Sequence, residues 1–139
     1  MTTTAVAPTT WRRSLSAPFA VVGAAAVATT YLAVVDPNQA GHYPTCPFKW
    51  LTGYSCPGCG SLRAVHDLAT GQLAPALHRN PLTVLAVPFL VVMWGLWLQR
   101  RLTGRSRRVA PAWVLWTLLG VILAFWVLRN LPGFGWLGP

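Results

Sequence analysis

The chain has 139 residues, of which 54% are hydrophobic, 9% charged and eight Trp. That length allows one domain at most, and a soluble domain carries about 25% charged residues, so an ordinary water-facing surface is excluded and lipid is the implied solvent. Eleven Lys and Arg against only Asp36 and Asp67 give a net charge of +9; the arginines sit beside apolar runs and no nucleic-acid-binding motif occurs, so the excess fits the cationic bias of cytoplasmic membrane loops and argues against a nucleic-acid partner.

Residues 1–13 form a small, Thr-rich, polar tail, expected to be disordered, that ends in Trp11, Arg12 and Arg13. The first span is expected over residues 14–35. Ala17 to Val35 is uncharged, and nineteen residues at 1.5 Å rise reach about 28 Å, close to the hydrocarbon thickness. Pro18 falls in the first turn, where a missing N–H costs little. Ser16, Ala20, Ala24 and Ala28 place small side chains on one face, suited to close helix approach. Arg12 and Arg13 also fit the n-region of a signal peptide, but the apolar run is long and no cleavage site stands out. Asp36-Pro37-Asn38 stops the helix.

Residues 36–81 are a Cys-rich loop with one or two short helices. As far as Gly60 the stretch is rich in Pro, Gly and aromatics and reads as loop. Ser61 to Thr70 then reads as a helix, with Leu62, Val65, Leu68 and Ala69 on one face and Gly71 as its terminator. Pro75 to Arg79 reads as a second helical piece. Asn80 and Pro81 supply an N-cap and a first-turn proline for the next helix.

The second span is expected over residues 82–98, about 26 Å long, with a kink at Pro88 and with Trp94 and Trp97 in an aromatic belt. Residues 99–111 are an Arg-rich connector carrying Arg100, Arg101, Arg105, Arg107 and Arg108. The third span is expected over residues 112–128, and residues 129–139 form a Gly- and Pro-rich interfacial tail. The fold class is therefore an all-α membrane protein with three transmembrane helices. Three spans put the N-terminus and the Arg-rich connector on one side. The positive-inside rule makes that side cytoplasmic and turns the Cys-rich loop outward, in a multi-pass protein of the cell (plasma) membrane.

All three cysteines, Cys46, Cys56 and Cys59, lie in the loop, spaced C-x9-C-x2-C. The C-x2-C pair suits two thiolates on one metal, with Cys46 as third ligand and a fourth from His42, His66 or another molecule, His66 being the one assigned to the set; zinc is the natural cofactor for it. A second reading is redox: Cys56-Pro57-Gly58-Cys59 closes a dithiol loop ahead of a helix whose positive end, with Arg63, would activate a thiol. A third is a structural disulfide, or thiols simply buried among Trp50, Tyr54 and Leu62. Arg63 and Asp67 stand at i, i+4 and are expected to pair.

The stretches Cys46-Pro47-Phe48, Thr52-Gly53, Cys56-Pro57-Gly58-Cys59-Gly60-Ser61-x-Arg63-Ala64, then Gly71, Ala76 and Asn80-Pro81-Leu82, resemble the bacterial membrane proteins of domain-of-unknown-function family 2752. The resemblance runs from about Cys46 to Leu98. It implies a small multi-span membrane protein with these cysteines as its signature and carries no activity with it. No complete catalytic set is visible. The expected function is a non-enzymatic Cys-rich membrane module, metal- or disulfide-stabilised, that binds the bilayer and another membrane protein or a second copy of itself. The alternative is a membrane-bound dithiol oxidoreductase using Cys56 and Cys59. Three spans without an acidic residue or a polar path argue against a transporter.

Overall fold

A computed structural model of the protein describes residues 15–39, 41–44, 46–104 and 110–137, and among these there is helix and loop but no strand. The elements are α1 (Ser16–Val34), α2 (Pro47–Thr52), α3 (Ser61–Ala69), α4 (Leu73–Arg79), α5 (Pro81–Thr103), α6 (Ala112–Arg129) and a 3₁₀ turn (Gly135–Leu137). Helices α1, α5 and α6 are long and apolar enough to cross a membrane, as expected, and almost none of their side chains is buried within the molecule. Val34 is 79% exposed, and Leu85 and Trp113 each 67%. Exposing such surface to water costs about 25 cal/mol per Å²; hydrocarbon imposes no such cost.

The boundaries move where local chemistry allows helix to continue. Helix α5 runs 23 residues, through Pro88 and past Arg100 and Arg101, and stops at the left-handed Gly104. Arginine is a good helix former, so nothing before Gly104 ends the helix. The Arg101 guanidinium lies 5.7 Å from the centre of the Trp97 ring, a long cationic side chain folded back along an aromatic. Arg105, Arg107 and Arg108 and the N-terminal tail lie outside the described residues. Helix α4 begins at Leu73 rather than at Pro75, because Pro75 then falls in the first turn, where no N–H is needed.

The expectation of loop as far as Gly60 is corrected by α2. Pro47 starts this helix, and Gly53, at φ 77°, closes it, its N–H reaching the Lys49 carbonyl at 2.9 Å. Both signals are ordinary helix punctuation, hidden in a stretch dominated by Pro, Gly and aromatics.

Most tertiary packing involves the short helices α3 and α4: α3 packs on α4, α1 and α5, and α4 on α5 and the 3₁₀ turn. The buried side chains of α3 are Ala64, His66 and Asp67, while Leu62 is exposed. The apolar face seen in the sequence is thus not the face that packs inward. The spans touch sparsely. Trp94 donates its indole N–H to the Pro18 carbonyl at 3.1 Å, joining α5 to the first turn of α1. The C-terminal ends of α1 and α6 and the N-terminal end of α5 all meet the cysteine loop, through Leu32 and His66, Arg129 and Cys56, and Thr83 and Ser61.

Candidate metal centre

Cys46 precedes the first turn of α2, and the Trp50 N–H binds its carbonyl at 3.0 Å. Cys56 and Cys59 bracket a turn closed by Cys59 N–H to the Cys56 carbonyl (3.1 Å) and Ser61 N–H to the Gly58 carbonyl (3.0 Å). Gly60 then takes φ 80° as the residue that opens α3. A Cβ would be strained in that left-handed conformation, which explains the glycine after the second cysteine of the pair. Helix α2 and this turn bring the three sulfurs together. Cys46 Sγ lies 3.5 Å from Cys56 Sγ, and Cys56 Sγ lies 3.3 Å from Cys59 Sγ. All three fall within 4.8 Å of one another, and all three cysteines are free.

The carbonyls of the turn are held from behind. Arg129, at the end of α6, donates from Nη1 to the Cys56 and Pro57 carbonyls (2.9 and 3.3 Å) and from Nη2 to the Cys59 carbonyl (3.2 Å). Asn80 is fully buried; its Nδ2 is shared among the Pro57 carbonyl (2.9 Å), the Cys59 carbonyl (3.1 Å) and Ser61 Oγ (3.2 Å). Its Oδ1 accepts from the Thr83 N–H at 3.1 Å, the helix cap expected from Asn80-Pro81. Asn130 braces Ser55 at both backbone atoms (2.8 and 2.9 Å), and Phe48 of α2 meets Trp126 of α6 edge to face, 5.8 Å between centroids. Arg129 is 5% exposed and also stacks on Phe125, 5.1 Å from the ring centroid.

Each thiol has a distinct environment. The Lys49 backbone N–H, then the neighbouring thiols, lower the Cys46 pKa to about 7. Burial pushes Cys59 up to about 11, helped by the Cys56 thiol. A zinc ion takes sulfur at about 2.3 Å, so tetrahedral ligand sulfurs stand roughly 3.8 Å apart. The triad fits such an ion with shifts of no more than about 1 Å from separations of 3.3 Å, 3.5 Å and at most 4.8 Å, and Cys46, Cys56 and Cys59 are the residues that would hold it.

The structure does not bring His66 to the thiols. Its Nδ1 lies 2.7 Å from the Leu32 carbonyl and its Nε2 3.5 Å from Asp36 Oδ1, so it ties α3 to the end of α1. The expected Arg63–Asp67 pair is also corrected. Arg63 Nε donates to the Pro37 carbonyl at 3.3 Å, and the cation beside Asp67 is Arg79, 3.8 Å away. Spacing permits an i, i+4 pair but does not choose between partners, and α4 folds back to present Arg79. Arg129 and Asn130 were not legible as site residues. At the end of a span they read as a stop, although a cation there that turns into protein rather than water is a recognised signal of function.

Residues 46–94 match a family model described as Protein of unknown function (DUF2752), as the cysteine motif led one to expect. The match takes in the cysteine triad, α3, α4 and Asn80; Arg129 lies beyond it. No curated protein and no solved structure matches the chain.

Proposed function

We propose that the protein is a metal-centred, non-enzymatic module of a membrane protein, in which Cys46, Cys56 and Cys59 hold one thiophilic divalent ion, zinc by class, and the folded loop serves as a binding surface for a partner at the outer face. The carrying observation is the triad itself: three free sulfurs within 4.8 Å, drawn from two separate loop segments. Arg129 supports the reading. It is a buried guanidinium with no carboxylate partner among the described residues, and an uncompensated buried charge costs several kcal/mol. Three thiolates on a divalent ion carry one excess negative charge and supply its counter-ion.

The test is metal content of protein purified in detergent without chelator. One zinc-class ion per chain is expected, with loss of the metal in each of Cys46→Ser, Cys56→Ser and Cys59→Ser. Metal-free wild-type protein with one alkylatable thiol would instead indicate a disulfide.

A second reading, dithiol exchange through Cys56 and Cys59, is favoured by their 3.3 Å separation. The thiol environments work against it, because the buried Cys59 sits near 11 and the readily ionised sulfur belongs to Cys46. The thiolate is the reacting form. In metal-free protein a maleimide should therefore modify Cys46 with a midpoint near pH 7 and leave Cys59 largely unreacted until pH approaches 11. First reaction at Cys56 or Cys59 would favour exchange.

A further inference from the structure

The triad opens onto a cleft of about 540 Å³, lined by Tyr43, Lys49 and Arg63 as well as by the cysteines. That volume lies in the range of small-ligand sites. Three sulfurs leave one position of a tetrahedral ion unfilled, and a metal with three protein ligands and an open fourth place exchanges ligands rather than serving structure alone.

The described residues offer no internal group for that place. No His, Asp or fourth Cys joins the cluster. His66 is committed to Leu32 and Asp36, His42 lies against the Asp36 carbonyl at 3.0 Å, Asp36 accepts from Asn38, and Asp67 faces Arg79.

Charge then decides what the place accepts. A divalent ion on three thiolates is one charge negative, yet Arg129 backs it and Lys49 and Arg63 line the cleft in front of it. The filled site has two positive charges more than it needs. Arg63 is anchored through Nε to the Pro37 carbonyl, and neither it nor Lys49 meets a carboxylate among the described residues. A guanidinium held by Nε keeps its two terminal nitrogens for a planar anion.

We infer that the cleft receives an anionic oxygen ligand from outside the chain, a carboxylate or phosphate, that completes the metal's coordination and is gripped by Arg63 and Lys49. The inference rests on the metal reading above. The same chemistry comes from a soluble anion or from a lipid headgroup at the membrane face.

Cobalt(II)-loaded protein tests both statements separately. Thiolate-to-cobalt charge-transfer bands report the three sulfurs, and the ligand-field bands report the fourth ligand. Acetate and inorganic phosphate are titrated into protein in a neutral detergent, and a parallel sample is placed in nanodiscs with and without phosphatidylglycerol. A saturable change in the ligand-field bands with either soluble anion, or on adding the anionic lipid, is the expected result, and the lipid-only case assigns the headgroup as source. Arg63→Gln should weaken the response roughly tenfold while keeping the charge-transfer bands; His42→Ala and His66→Ala should leave the response intact. Normal charge-transfer bands with ligand-field bands that ignore every anion, or that change in His42→Ala or His66→Ala without added anion, overturn this inference alone. Absence of charge-transfer bands overturns the metal reading and the inference with it.

Discussion

The loop between the first two spans and the spans themselves are built on opposite rules. In the spans the apolar side chains face outward: Leu90 and Leu115, for example, are 61% and 64% exposed. In and against the loop module the buried polar side chains are Asn80 at 0%, Asp67 at 4%, His66 at 9% and, reaching in from the end of α6, Arg129 at 5%. The contrast follows from the solvent. Lipid accepts any apolar helix surface, so the spans need little internal packing. A folded loop cannot leave its carbonyls unpaired, so it recruits side chains from distant helices to satisfy them. Structural specificity in this molecule therefore resides in hydrogen bonds, and bulk apolar character only places it in the membrane.

The sharpest way to break that comparison is Arg129→Ala. It removes the donors of three turn carbonyls at once and should cost about 3–5 kcal/mol, seen as a large fall in the detergent unfolding midpoint and loss of bound metal. Leu115→Val, on an exposed face of α6, should shift the midpoint hardly at all. Equal effects from the two would mean that the loop is not held by Arg129 and that the contrast is only one of surface.

Asn80 comes next, because it serves two elements with one side chain. Asn80→Ala loses the α5 cap and the grip on Pro57 and Cys59, about 2–3 kcal/mol together. Asn80→Asp keeps the acceptor for the Thr83 N–H but cannot donate to the carbonyls. It should retain α5 helicity by circular dichroism and still lose metal affinity. If both variants hold metal as well as wild type, the bonds to Pro57 and Cys59 are incidental.

How much of this was legible in the sequence depends on range. The spans were legible from composition alone, and the Asn80-Pro81 cap was legible because a cap is a two-residue signal. The triad was legible as a possibility, since Cys56-Pro57-Gly58-Cys59 fixes one pair and leaves Cys46 as the third sulfur. Helix α2 carried its own start and stop, Pro47 and Gly53, yet its composition masked them. Arg129 was illegible for a different reason: its partners lie about 70 residues away in sequence, and nothing local to a span end says which loop it will meet. The inward face of α3 failed likewise. Hydrophobic periodicity names the apolar side of a helix, but beside a membrane the apolar side need not be the inner one.

The smallest expected effect concerns the choice of partner for Asp67. A double-mutant cycle between Asp67→Asn and Arg79→Gln should give a coupling below about 1 kcal/mol, because the Arg79 side chain is 36% exposed and water screens the pair. The cycle between Asp67→Asn and Arg63→Gln should give none, since Arg63 is turned to Pro37. The size matters less than the difference. Coupling confined to Arg79 means that α4, by folding back, contributes a charge to the buried side of the module, while Arg63 is left for the cleft. Coupling confined to Arg63 would restore the simple i, i+4 pair, withdraw the free cation from the mouth of the metal centre, and make the loop follow the same local rules as any solvated helix.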